Sequence, residues 1–128
     1  MKPLFAIMIL LTLALATAGS QTATSLPPKI GYAELSSVLS GASSDVLLLD
    51  VRTDEEFKSG HIMGARLAPY DGLAASFTEE NKDRPIVVYC RSGRRSAIAR
   101  ETLTGMGYRQ VSDFGGIGSW RGTLVTGD

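Results

Sequence analysis

The sequence predicts an α/β fold, a central parallel sheet of about five strands with helices on both faces. Three observations predict it. Val46-Leu47-Leu48-Leu49-Asp50 and Ile86-Val87-Val88-Tyr89 are continuous apolar runs, the pattern of strands covered on both sides. Stretches with apolar residues at helical spacing lie between and after these runs. Glycine-containing turns separate the pieces.

The elements follow in order. Lys29-Ile30-Gly31 is a short first strand. Tyr32 to Leu39 carries Leu35, Val38 and Leu39 at helical spacing, which predicts a helix. Gly41 to Ser44 is a turn. The run 46–50 is a buried strand closed by an acid. Thr53-Asp54-Glu55-Glu56 reads as a capping box, with Thr53 as N-cap and Glu56 three residues on. Gly60 ends that short helix. Ala65 to Ala68 is a short strand, and Leu73, Ala74 and Phe77 mark a helical stretch. Ile86 to Tyr89 is the second clear strand. Ser96 to Leu103 is a helix ended by Gly105 and Gly107. Gln110 to Phe114 is the last strand, Gly115-Gly116 turns the chain, and Ile117 to Arg121 forms a final helical turn.

The N-terminus has a different character. Lys2 precedes an apolar run from Leu4 to Ala16, shorter than the roughly 20 residues that span a bilayer. Ala16-Thr17-Ala18 offers small residues where a signal peptidase cuts. Residues 1–18 are expected to be a signal peptide and 19–28, rich in Ser and Thr, a flexible leader. Residues 29–128 are then one domain, periplasmic or secreted, with no stable membrane anchor after cleavage. The alternative is an uncleaved N-terminal anchor. The 13 basic and 13 acidic residues balance, so no broad basic surface marks a nucleic-acid partner. One cysteine and one histidine do not make a conventional zinc site.

The chemistry centres on Cys90, the lone cysteine, where a strand runs into Arg91-Ser92-Gly93-Arg94-Arg95-Ser96. A lone cysteine is ordinarily an inert small hydrophobe. This one faces a helix start, where free N–H groups and the positive dipole end favour an anion. Nearby arginines are expected to lower the thiol pKa further. Gly93 permits a left-handed turn that brings the backbone close to the sulfur. Three arginines at a helix N-terminus oppose its dipole, which points to an anionic guest; an ordinary solvated helix start is the plainer reading.

These residues resemble the rhodanese family of sulfurtransferases. The resemblance rests on Leu49-Asp50-Val51-Arg52, Glu56-Phe57, Gly60-His61-Ile62-Met63-Gly64-Ala65, Val88 through Ser96, and Gly115-Gly116-Ile117 with Trp120. It covers about Lys29 to Trp120. Arg66-Leu67-Ala68-Pro69 departs from the Asn-Ile-Pro-like run frequent in the family, so the rim near Pro69 is expected to differ.

The resemblance implies that Cys90 cycles through a persulfide. The sulfur donor would be a small anion such as thiosulfate, and the acceptor a thiophile such as cyanide or a thiol. No metal, general-base histidine or organic cofactor is required. Arg91, Ser92, Gly93, Arg94, Arg95 and Ser96 are the candidate substrate-binding residues, with Arg95 or Arg94 favoured over Arg91 for direct contact. Any one arginine can instead face solvent or tie the loop to Asp50 or Glu56. Asp50 is expected to order neighbouring loops by accepting hydrogen bonds, and Arg52 to pair with Glu56. His61 and Trp120 read as structural.

Two other classes stay open. A cysteine phosphatase or arsenate reductase also sets cysteine in an N–H-lined loop, but with an arginine where Ser96 stands here. A non-catalytic interaction module or persulfide carrier would share the fold, because fold alone does not establish activity.

Overall fold

The computed structural model describes residues 25–41 and 44–128. The expected signal peptide, its cleavage site, most of the leader and two residues of the turn after the first helix lie outside the described residues. The elements are α1 (Tyr32–Ser40), β1 (Leu47–Asp50), α2 (Asp54–Ser59), β2 (His61–Ile62), β3 (Arg66–Leu67), α3 (Leu73–Ser76), β4 (Ile86–Cys90), α4 (Arg94–Gly105), β5 (Val111–Gly116) and β6 (Leu124–Val125).

The central sheet has the order β3-β1-β4-β5, and every pairing in it is parallel. It has four strands rather than five. The expected first strand is a single parallel bridge from Lys29 to Asp113. Pro27 and Pro28 precede it, and proline has no N–H to extend a ladder. A second, two-stranded antiparallel sheet joins β2 to β6. Nothing in the sequence pattern marks that pairing, because each strand is two residues long.

Strand alternation divides the core. Leu47, Leu49, Ile86, Val88 and Cys90 pack with Leu73 of α3 and Ala99 and Leu103 of α4. Leu48, Val87 and Tyr89 point the other way, toward Leu35 of α1, Ile30, Ile62 and Phe114. Helices therefore cover both faces, which is why β1 and β4 read as unbroken apolar runs. Burial of each such side chain contributes about 1.5–3 kcal/mol. Trp120 packs edge-on against Tyr32, ring centroids 5.2 Å apart, as expected of a core residue.

Gly115 and Gly116 are not a turn. They end β5, where Tyr89 pairs with Gly115 and Cys90 with Gly116. The register slips by one residue between Val88 and Tyr89, a bulge that leaves Phe114 unpaired. Glycine is needed at 116 for space. A Cβ there would lie 2.7 Å from the Arg91 carbonyl oxygen. The last helical turn is a single 3-10 turn, Ile117–Ser119.

From β1 the chain runs to β3 on one side of it, then returns to β4 on the other. That reversal makes a switch point between β1 and β4, and ligands of such sheets bind beyond the carboxyl ends of the strands there. The two carboxyl ends are Asp50 and Cys90.

Candidate active site

Cys90 closes β4 and is fully buried. The chain then turns through Arg91, Ser92 and Gly93 into α4. Gly93 precedes the first helical residue with φ 99°, a left-handed conformation that side chains resist. The turn aims its own backbone at the sulfur. The Gly93 N–H donates to Cys90 Sγ at 3.0 Å. The hydroxyl Oγ of Ser96 lies 3.5 Å from the same sulfur. That hydroxyl also reaches the Gly93 carbonyl at 3.1 Å, so Ser96 braces the loop it serves.

Burial opposes ionisation of Cys90. Hydrogen bonding with the Ser96 hydroxyl, together with the backbone N–H groups of Ser96, Gly93 and Ser92, outweighs it and holds the thiol below its ordinary range. The N–H groups expected at the helix start do this, and the further push expected of the arginines is not among the leading causes. A concave ring of N–H groups around one atom is an anion nest, and here the atom is a sulfur.

The three arginines have separate positions. Arg95 is bidentate to Glu56, Nη1 to Oε1 at 2.6 Å and Nη2 to Oε2 at 3.0 Å. The Arg95 guanidinium, aided by the Thr53 N–H and against some burial, lowers the Glu56 carboxyl to about 2. Arg91 and Arg94 are exposed, and among the described residues neither forms an ion pair. Of the cations favoured from sequence, Arg95 is committed to the frame and Arg94 is available.

Arg52 does not pair with Glu56. Its guanidinium is buried on Asp50, with Nη2 2.7 Å from Oδ2 and Nε 2.9 Å from Oδ1. Nη2 also donates to the Gly60 carbonyl at 2.7 Å. The two residues are only two apart in the chain, whereas both oxygens of the Glu56 carboxylate are taken by Arg95 of α4. Asp50 accepts the Arg52 backbone N–H as well, at 3.0 Å. Tyr89, next to the cysteine, accepts the Ile62 N–H at 3.1 Å. Its hydroxyl pKa is raised by burial.

The capping box is present: Thr53 Oγ1 accepts from the Glu56 N–H at 3.2 Å. His61 stacks on Phe57, centroids 3.6 Å apart, and its Nδ1 donates to the Phe57 carbonyl at 2.8 Å. It is a structural residue of the α2–β2 corner. The tie from a loop arginine to Asp50 or Glu56, left open by the sequence, is made by Arg95 to Glu56, 39 residues away.

Comparison with known proteins agrees with this geometry. The sequence profile of the Rhodanese-like domain matches residues 21–123. A sulfurtransferase of Allochromatium vinosum is 42% identical over 61% of this chain and 74% of its own. The thiosulfate sulfurtransferase GlpE of Ectopseudomonas mendocina is 33% identical over 64% of this chain and 76% of its own. YqhL of Bacillus subtilis is 37% identical over 60% of this chain, and the match spans 62% of that relative's own length. The crystal structure of a rhodanese-like domain protein from Staphylococcus aureus superposes with a TM-score of 0.69 at 34% identity, over 80% of this chain and all of that one. The profile covers most of the chain, and the cysteine loop lies inside it at the end of a parallel strand. The chain belongs to the rhodanese-like family of sulfurtransferases.

Proposed function

We propose that this protein is a thiosulfate sulfurtransferase that carries sulfane sulfur on Cys90 to cyanide or a thiol. The observation that carries the reading is the Cys90 sulfur, held at 3.0 Å by the Gly93 N–H and lowered in pKa by hydrogen bonds of its own loop. The thiolate attacks the outer sulfur of thiosulfate. The S–S bond of thiosulfate breaks, and sulfite leaves with the electron pair. Cys90 is left as a persulfide anion, a covalent intermediate that divides one transfer into two. Cyanide then attacks the terminal sulfur, thiocyanate departs, and the Cys90 thiolate returns.

The ring of N–H donors stabilises both the thiolate and the persulfide without rearranging. Arg94, exposed and unpaired among the described residues, supplies the cation for the sulfonate end of the donor. The loop from Cys90 to Arg95 is followed by the buried Ser96 rather than by the arginine of a phosphate-binding loop, which disfavours phosphate ester chemistry. No step calls for a metal or an organic cofactor. The reading includes export, with cleavage near Ala18, on the strength of the apolar run and its small-residue end; sequencing the N-terminus of the protein from a periplasmic fraction tests it.

The experiment is incubation of the purified protein with thiosulfate and cyanide beside a Cys90→Ser control. Thiocyanate from the wild type alone, with a mass gain of one sulfur on Cys90 before cyanide is added, is the expected result. Freshly reduced protein that forms neither persulfide nor thiocyanate overturns the reading.

A further inference from the structure

Cys90 is fully buried, so a donor reaches its sulfur only past what packs around it. Three hydrophobic side chains packed against the Cys90 core cluster are only partly buried: Ala68, Tyr70 and Met106. Met106 caps the far end of α4, roughly 18 Å from the cysteine loop at 1.5 Å per residue. Ala68 and Tyr70 stand at the near end. Their N–H groups donate to the carbonyls of Asp50 and Val51, at 2.8 and 3.0 Å. On the other side of the same strand end, the Val51 N–H donates to the Tyr89 carbonyl at 3.0 Å. Tyr70 and Cys90 therefore flank the carboxyl end of β1, with Val51 between them. Val51 and Cys90 belong to one core cluster, on the α4 side of the sheet, and Tyr70 packs against it.

The Tyr70 hydroxyl is unspent. It forms no hydrogen bond among the described residues, unlike the hydroxyls of Tyr89 and Tyr108. Among the described residues the one buried side-chain polar atom without a partner is Ser112 Oγ, so the Tyr70 hydroxyl is open to solvent while its ring faces the core. Tyr70 also opens the 3-10 turn Tyr70–Gly72, which packs on α4. The Arg95 guanidinium in the first turn of α4 is held above its ordinary pKa first by Glu56, against some burial, and then by the charges of Cys90 and Tyr70. One side chain thus lies within electrostatic reach of both the thiolate and the phenol.

We propose, building on the sulfurtransferase reading, that the Tyr70 hydroxyl donates a hydrogen bond to the sulfonate end of the donor and makes the site select donors that carry one. The loop N–H groups stay with Cys90 Sγ, and the phenol serves the departing end. As the Cys90 thiolate attacks the outer sulfur of thiosulfate, the S–S bond breaks and the electron pair goes to sulfite. Negative charge grows on the sulfite oxygens, and a donor already in place stabilises it without rearrangement. Exposed Arg94 supplies charge to the same group, whereas the half-buried phenol supplies a directed O–H. A donor with no oxygen has nothing for that O–H to bond.

The test follows the mass gain of one sulfur on Cys90 with thiosulfate and with inorganic tetrasulfide, which carries no oxygen and leaves as trisulfide. Tyr70→Phe keeps the ring against the core and removes the hydroxyl. It is expected to slow transfer from thiosulfate about fivefold or more and to leave transfer from tetrasulfide within about twofold. The reverse step gives a second readout on persulfide formed beforehand with tetrasulfide. Sulfite attacks the outer sulfur, the persulfide S–S bond breaks, and thiosulfate and the Cys90 thiolate are returned. Tyr70→Phe is expected to slow sulfite as it slows thiosulfate, and to leave cyanide within about twofold. An unchanged rate with thiosulfate, an equal loss with both donors, or a loss with sulfite no greater than with cyanide overturns the proposal. Wild-type protein that forms no persulfide from either donor refutes the sulfurtransferase reading instead, so the two failures are distinct.

Discussion

Arg95 and Glu56 form a two-pronged ion pair, 2.6 and 3.0 Å, that ties the first turn of α4 to the first turn of α2. The cysteine loop ends at Arg95, so its backbone donors inherit their position from this tie. Glu56→Gln keeps the cap, since glutamine also serves at that position, and removes the charge. The expected loss is about 1 kcal/mol for this partly exposed pair. The midpoint of Cys90 alkylation by iodoacetamide is expected to rise with it. Thr53→Ala removes the cap and keeps the pair; it is expected to cost similar stability and leave the alkylation midpoint in place. The Glu56 carboxyl sits near 2 in the fold against an ordinary 4.5, so the pair's stabilisation is present above about 4.5 and is lost as pH falls toward 2.

The thiol behaves in the same sense at higher pH. Its folded pKa is depressed, so the associated stabilisation is complete above the ordinary thiol value and is lost as pH falls through the folded one. Persulfide formation from thiosulfate should rise with pH and level off before an ordinary thiol would. Ser96→Ala deletes the hydroxyl 3.5 Å from the sulfur. It is expected to shift the rising limb upward and to cut the rate at pH 7 by about three- to tenfold. A pH–rate profile of both proteins checks this, and an unmoved limb would mean that the backbone donors act alone.

Arg94 and Arg91 are the exposed cations of the loop. Arg94→Ala is expected to raise the KM for thiosulfate about fivefold, with the effect shrinking at high salt, as for any exposed charge contact. Arg91→Ala is expected to have the smaller effect. Steady-state kinetics at two ionic strengths separates them.

Much of this site is legible in the sequence, for physical reasons. The strands β1 and β4 are apolar on both sides because helices cover both, and the acid and the cysteine that end them stand at the switch point. The turn at Gly93 is legible because a tight strand-to-helix turn demands a left-handed residue, whereas the bond from the Ser96 hydroxyl back to the Gly93 carbonyl depends on how the turn folds. The ion pairs are only partly legible: a tie from a loop arginine to Glu56 is one of several alternatives there, and the partner of Arg52 is misassigned. Arg52 has acids at positions 50, 54, 55 and 56 within reach along the chain, and only the path of the backbone after β1 selects Asp50. Gly115-Gly116 looks like a turn by composition, yet its glycines are there because another strand's loop lies against them.

The buried Asp50–Arg52 pair supports this frame from below. Asp50 is fully buried and Arg52 nearly so. Burial works against the Arg52 charge, and the Asp50 carboxylate more than restores it. Asp50→Asn leaves a buried guanidinium without its counter-charge. The expected cost is about 3 kcal/mol, on the order of 15 °C in Tm for a domain of this size. Thermal unfolding by circular dichroism reads it. A loss below about 1 kcal/mol would mean that the Gly60 carbonyl and the Tyr89 ring, its centroid 5.7 Å from the guanidinium, hold Arg52 adequately.

Gly116 gives the sharpest steric prediction. Its missing side chain leaves room for the Arg91 carbonyl; a Cβ would stand 2.7 Å from that oxygen, 3.3 Å from its carbon and 3.4 Å from the Ser92 Cα. These are backbone atoms, with no rotamer to yield. Gly116→Ala must therefore part β5 from the cysteine loop, at a cost of about 1–3 kcal/mol. Arg91 and Ser92 join Cys90 to Gly93 along the chain, so the displacement passes directly to the N–H groups around Sγ. The variant is expected to lose persulfide formation by more than its stability loss explains, measured well below its Tm by mass gain after thiosulfate. Gly118→Ala, where a Cβ meets nothing within 4 Å, is the matched control and should form persulfide at the wild-type rate.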